Sequence, residues 1–224
     1  LILFNLETMK TDLVSNDKLS IQEKDKILFY SQSIFFKEGF KKITLNEIAS
    51  GLMMSKNTIY KHFQSKEALH NEVINNFLNK THENISKIVN YDENSVKKFI
   101  SLLNFLGKTL SSISPKWMDD LKIHSPELWE KMDNFRKEKM FIFLSKIIIQ
   151  GQKEELVHKF PPSIIIEIFI TSVRSIINPY FLTSHNFSYT EAVNSTFDIL
   201  LNGILTTKGK KVYRNFSNHN YENH

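Results

Sequence analysis

The chain has 224 residues and a formal net charge of +5, with 18 Phe set against only 6 Gly and 5 Pro, and no Cys. Such a length allows one or two domains with a large core. So few breakers among so many core formers suit an all-α fold and exclude a disordered chain. The missing thiols remove disulfides, thiolate zinc sites and cysteine nucleophiles, and no run of eighteen apolar residues is present, so a soluble cytoplasmic protein without a membrane partner is expected.

In chain order, residues 1–20 lack helical periodicity and read as a disordered or upstream leader, with Leu1–Thr8 ahead of the internal Met9. The rival reading, a cleaved signal, lacks the basic opening and the small-residue cleavage site it would need. A helix is predicted from about Glu23 to Glu38, with Ile27, Leu28, Ile34 and Phe35 on one face, stopped by Gly39 with Phe40 folding back on Phe35. The next stretch, Ile43 to Leu69, is the densest in signals. Thr44 and Glu47 form a T-x-x-E capping box, and Ile43 and Ile48 have the spacing of a hydrophobic staple. Ser55 caps a second helix after the short turn of Leu52, Met53 and Met54, and Ser65 caps a third. Two capped helices across so short a turn make a helix-turn-helix. Its second helix puts Ile59 and Phe63 inward and leaves Lys56, Asn57, Thr58, Lys61 and His62 on a face able to donate hydrogen bonds. From Lys37 to Lys66, the lysines Lys37, Lys41, Lys42, Lys56, Lys61 and Lys66 are opposed only by Glu38 and Glu47, a basic surface suited to phosphate contact.

Beyond it the periodicity predicts a long helix from Lys66 to about Val89 and a loop over Tyr91–Asn94. A central helix follows from Ser95 to about Ser112, greasy on too many faces for the surface. After Pro115 come a short helix over Trp117–Ile123, then a long one opened by Ser125-Pro126-Glu127 and fading near Gly151. Pro161-Pro162 precedes a helix over about Ser163–Ile177, stopped by Asn178-Pro179. A second capping box, Ser188 with Glu191, opens the last helix, striped by Val193, Phe197, Leu200, Leu201 and Ile204 to about Thr206. The remainder carries Lys208, Lys210, Lys211 and Arg214 and reads as a frayed basic tail.

The residues Ile48-Ala49, Ser55, Thr58, Tyr60, His62-Phe63 and Ser65-Lys66-Glu67, closed by Leu69, resemble the DNA-binding domain of TetR-family transcriptional regulators. Pro126 to Lys137 more weakly resembles a segment of that family's C-terminal domain. Leu52 and Met53 stand where the family usually has Ala-Gly, and Asn57 where it usually has Gly; a Met in place of the turn Gly implies a turn that avoids positive φ. The resemblance implies an N-terminal three-helix helix-turn-helix DNA-binding domain over 21–66, a C-terminal helical ligand-binding and dimerisation domain over 67–206, and a tail over 207–224. It implies that Thr44, Tyr60, His62 and Lys66 meet phosphates of double-stranded DNA. Helix N-termini do offer free amides and a positive dipole end to anions, and Lys56, Asn57, Thr58 and Lys61 carry groups suited to base edges.

The resemblance also implies a small-molecule effector in a helical cavity, expected here to be apolar. Its candidate lining is Phe99, Leu103, Phe105, Trp117, Leu121, Trp129, Met132, Phe135 and Phe169, with His124, Asn104, Arg136 and Arg174 as polar groups that would orient it. A homodimer is expected to pair Val173, Ile177, Val193, Phe197, Leu200 and Leu201 with their mates in a four-helix interface. Eight scattered His, no H-E-x-x-H and no phosphate-binding glycine loop give no catalytic residues, no metal site and no cofactor. The expected function is a ligand-released repressor on a palindromic operator. The alternative is a helical interaction protein without sequence-specific DNA binding, which steep salt-dependent retention on DNA would exclude.

Overall fold

The computed structural model describes the backbone of residues 2–176 and 178–221 and, within these, the side chains other than those of 2–18, 179, 189, 190 and 217–221. The helices run α1 (Ile2–Glu38), α2 (Leu45–Gly51), α3 (Lys56–His62), α4 (Lys66–Asn90), α5 (Ser95–Ser111), α6 (Pro115–His124), α7 (Pro126–Lys153), α8 (Pro162–Ile176), α9 (Pro179–His185), α10 (Tyr189–Ile204) and α11 (Thr207–Tyr221). They divide between two compact units, one holding residues up to Phe77 with Lys116–Leu128, the other Leu78–Pro115 and Trp129 onward. Among the described residues β pairing is confined to one isolated antiparallel bridge, Val157 with Leu205, so the fold is all-α.

In the first unit, α1 is longer than predicted: residues expected as a leader are helical from Ile2, because no Gly or Pro interrupts the chain before Gly39. Leu1 lies outside the described residues. Gly39 ends the helix at φ +86, with its amide on the Phe35 carbonyl at 2.9 Å. A Cβ there would come 2.6 Å from Oδ2 of Asp120, the same oxygen that accepts the Lys41 amide at 2.9 Å. Both the left-handed backbone and the close approach therefore require glycine. Phe40 does fold back, edge-on to Phe35 at 5.6 Å between centroids. Ile27, Phe35, Ile48, Ile59, Leu69 and Val73 are fully buried around this turn. Trp117 and Leu121 of α6 join them at 0% exposure, the indole lying 4.5 Å from the Phe36 ring. They were expected in the effector cavity; their i, i+4 spacing instead makes one apolar face that buries against these aromatics.

In the second unit, α5, α7, α8 and α10 meet in a core of Phe99, Leu102, Phe143, Ile147, Ile166, Phe169, Phe197 and Leu201. Asn178 and Pro179, read as a stop, also start α9: the Asn178 side chain accepts the Tyr180 amide at 2.9 Å and Pro179 takes the first turn. The expected basic tail forms α11 through Tyr221, while 222–224 lie outside the described residues. Oγ1 of Thr206 accepts the Gly209 amide at 3.1 Å as its cap, and Val212 and Tyr213 pack on the core. A Cβ on Gly209 would lie 2.1 Å from the Leu156 carbonyl oxygen, so this residue sets how closely α11 can approach.

Candidate nucleic-acid interface

The local hydrogen bonds that the sequence encodes shape the interface. Thr44 caps α2: its Oγ1 accepts the Glu47 amide at 3.2 Å, and the Glu47 carboxylate takes the Thr44 amide at 2.7 Å and its hydroxyl at 2.8 Å. Those bonds from Thr44 hold the Glu47 carboxyl below its ordinary range. The turn then closes through the Met54 amide on the Ala49 carbonyl at 2.9 Å. Met53 sits in it at φ +54, which corrects the expectation that a Met here avoids positive φ. The chain must reverse within a few residues, and a side chain 96% exposed to solvent meets no neighbour that would prevent it. Ser55 caps α3, accepting the Thr58 amide at 3.1 Å and sharing a 2.9 Å bond with the Thr58 hydroxyl.

Buried Ile59 and Phe63 fix which face of α3 is outward. That face carries Lys56, Asn57, Tyr60 and Lys61, all exposed and, among the described residues, without a hydrogen-bond partner for their side chains. Lys56 with Tyr60, and Asn57 with Lys61, are i, i+4 neighbours, so four polar ends form one donor-rich patch. The four other expected contact residues are engaged within the unit, Thr58 by the Ser55 hydroxyl. Thr44 is held by Glu47. His62 has a side chain only 6% exposed, with Nε2 3.2 Å from Oε2 of Glu23 on α1. Lys66 donates to the carbonyls of Phe40 at 3.1 Å and Lys41 at 2.9 Å, with its ammonium 4.5 Å over the Phe40 ring. Lys66 thus satisfies the carbonyls left free past the end of α1.

Behind this surface His70 of α4 is 1% exposed and stacked on Phe40 at 3.9 Å, with Nε2 unbonded among the described residues. Burial, helped by the Lys66 charge and opposed by Asp120 and Glu67, lowers its pKa from 6.5 to about 4, so the imidazole is neutral near pH 7.

The second unit contains a cavity of about 130 Å³ lined by Leu102, Leu103, Leu106, Leu110, Arg136, Met140, Leu144, Phe169, Ile170, Val173, Arg174 and Phe197. Of the residues expected there, Leu103 and Phe169 line it, as do Arg136 and Arg174 among the expected polar groups. Phe99 is fully buried in the core behind, Phe105 packs on that core, and Trp129, Met132 and Phe135 are half-buried elsewhere on α7. The overlooked lining residues include Leu102, Leu106 and Leu110 at i, i+4 spacing, and Met140 and Leu144, which continue that spacing from Arg136; in sequence such stripes resemble any core stripe. Val193, Phe197 and Leu201, expected between protomers, are 0–6% exposed inside a single chain, Leu200 is partly buried on the same core, and Val173 faces the cavity. The outward apolar side chains of α8 and α10 are Ile164, Ile168 and Ile199, 48–73% exposed beside Phe160. Ile177 lies outside the described residues.

Two capped helices across a tight turn, the second presenting unpaired donors, define a helix-turn-helix protein. Residues 32–73 match the model of the bacterial regulatory proteins of the tetR family. Over 181 residues the chain is 25% identical to the uncharacterised HTH-type transcriptional regulator YvaF of Bacillus subtilis, covering 80% of this chain and 94% of that one. Its fold is that of a TetR-family regulator from Agrobacterium tumefaciens (TM-score 0.66, 11% identity, 84% of this chain and 100% of the other). It is also that of a transcriptional regulator from Cytophaga hutchinsonii (TM-score 0.63, 19% identity, 80% and 97%). Residues 32–73 thus carry the sequence signature of the tetR-family regulatory proteins, and over most of its length the chain has the fold of solved regulators of that family. Among the described residues no helix is long and apolar enough to cross a membrane.

Proposed function

We propose that the protein is a cytoplasmic repressor that binds a palindromic operator as a homodimer and leaves it when a small molecule fills the cavity of the second unit. The observation that carries the DNA reading is the exposed patch of Lys56, Asn57, Tyr60 and Lys61 on α3, outside the packing and, among the described residues, free of internal partners. A helix of this kind fits the major groove, where Lys pairs with guanine and Asn with adenine, while Tyr60 and Lys61 suit phosphates. Dimerisation is assigned to Phe160, Ile164, Ile168 and Ile199, joined by Gly203, above which the surface is open. A symmetric copy would cover these side chains and set two recognition helices on one palindrome. The helix α4 runs through both units, so a ligand that prefers one arrangement of the dimer shifts the population away from the operator-bound form.

The test is operator selection from a randomised library with the full chain. Replacing Lys56 and Asn57 together by Ala should weaken the selected operator by about 1–3 kcal/mol per half-site and relax preference at symmetric positions, with less change on random DNA. Unchanged operator preference in that variant would show that the sequence is read elsewhere.

A further inference from the structure

The cavity of the second unit is greasy along its length but not neutral. Two of its lining residues are arginines, Arg136 on α7 and Arg174 on α8. On α7 the lining runs Arg136, Met140, Leu144, and on α8 it runs Phe169, Ile170, Val173, Arg174, so each stripe has an apolar stretch with a guanidinium at one end. Both charged ends line the same cavity, and Asp133, one turn before Arg136, is bonded by Arg136 and by Lys137 at 2.7 Å. Burial alone would raise the Asp133 carboxyl, yet these cations hold it down at about 2. It is therefore a carboxylate held by Arg136 and Lys137, and its single charge offsets only part of theirs. Arg174 is exposed and, among the described residues, has no bonded acceptor.

We propose that the ligand of this cavity is an amphipathic monoanion, a carboxylate whose apolar body lies along Leu106, Met140 and Phe197 while its charged head sits between Arg136 and Arg174. This rests on reading the cavity as the effector site. Arginine is suited to the head because its planar fork meets a carboxylate through paired charge-assisted hydrogen bonds. The size of the body follows from the volume: 130 Å³ approaches the roughly 150 Å³ of an apolar cavity that holds benzene. The stripe from Arg136 to Leu144 spans about 12 Å at 1.5 Å per residue. One aromatic ring or a chain of about six to eight carbons fits both limits. An uncharged apolar ligand of the same shape would leave the excess cations with water as their only partners. A cationic ligand would meet like charge.

The experiment is calorimetric titration of the full chain near pH 7.5 with two matched sets of probes: phenylacetate, 2-phenylethanol and 2-phenylethylamine, and octanoate, octan-1-ol and octylamine. In at least one set the acid should bind at least tenfold more tightly than the alcohol, with the amine weakest. Arg174→Gln leaves the Asp133–Arg136–Lys137 cluster intact; it should lower the affinity for the acid at least tenfold and leave that for the alcohol unchanged. Alcohols that bind as tightly as the acids, or an acid affinity indifferent to Arg174→Gln, would overturn the anion assignment while leaving an effector cavity in place. If no probe of either set binds, the assignment falls together with that cavity. Acids that bind as described without weakening the operator complex would support the anion site and defeat its role as the effector switch.

Discussion

The stretch from Thr44 to Phe63 and the α8/α10 pair are both made of short amphipathic segments, yet they carry their information differently. In the helix-turn-helix, Thr44 bonds Glu47, Ser55 bonds Thr58, and the inward Ile59 and Phe63 are four apart, so residues that interact are neighbours in sequence. In the α8/α10 pair, Phe169 meets Phe197 at 6.0 Å between centroids across a gap in sequence that includes the whole of α9. Both helices are apolar on two sides: Val193, Phe197 and Leu201 turn inward, and Ile164, Ile168 and Ile199 turn out. Local hydrogen bonds name their partners, whereas an apolar stripe names only a need for one.

The largest expected effect breaks the second region from within. Phe197→Glu places a carboxylate in the core and should cost about 4 kcal/mol or more, enough to abolish a cooperative melt. Ile199→Glu, two residues on, should shift Tm by little and yield folded monomers in light scattering. Equal melts for the two variants would show that the inward and outward faces have been confused.

Next in size is a pH effect within the first region. His70 is held neutral in the folded state with a pKa of about 4, against 6.5 when exposed, so below pH 6.5 the unfolded chain takes up a proton that the folded chain refuses. Stability is therefore full above pH 6.5 and lost as the pH falls toward 4, by about 3 kcal/mol at 1.36 kcal/mol per unit. Denaturant titrations across that range should show this slope in the native chain and lose it in His70→Phe, which keeps a ring on Phe40.

The smallest effects sharpen the local side of the comparison. Thr44→Ala removes the cap of α2 and should destabilise by about 1 kcal/mol in chemical denaturation, and a second substitution, Glu47→Ala, should add little, because each half of a capping box needs the other. Met53→Gly should stabilise by about 0.5 kcal/mol, the relief of a left-handed residue offset by the greater freedom of glycine in the unfolded chain. A destabilising Met53→Gly would mean that the exposed thioether makes a contact that matters.

By itself the sequence determined what depends on residues a few positions apart: the caps at Thr44, Ser55 and Ser188, the glycine stop at Gly39, the inward Ile59 and Phe63, and with them the helix-turn-helix and the all-α class. Two local signals carry a second role beyond the one expected: Thr206, just past the end of α10, also caps α11, and Asn178-Pro179, just past the end of α8, also starts α9. The tertiary structure alone decided which donors remain free. Nothing near His62 or Lys66 in sequence says that Glu23 and the Phe40 and Lys41 carbonyls will occupy them. It also assigned Trp117 and Leu121 to the first unit, and it distinguished the α8 and α10 side chains that fill their own core from those that face outward. The physical reason is common to these cases. A hydrogen bond over three residues is fixed by backbone geometry, but the hydrophobic effect has no direction, and which apolar face meets which is settled only when the whole chain packs.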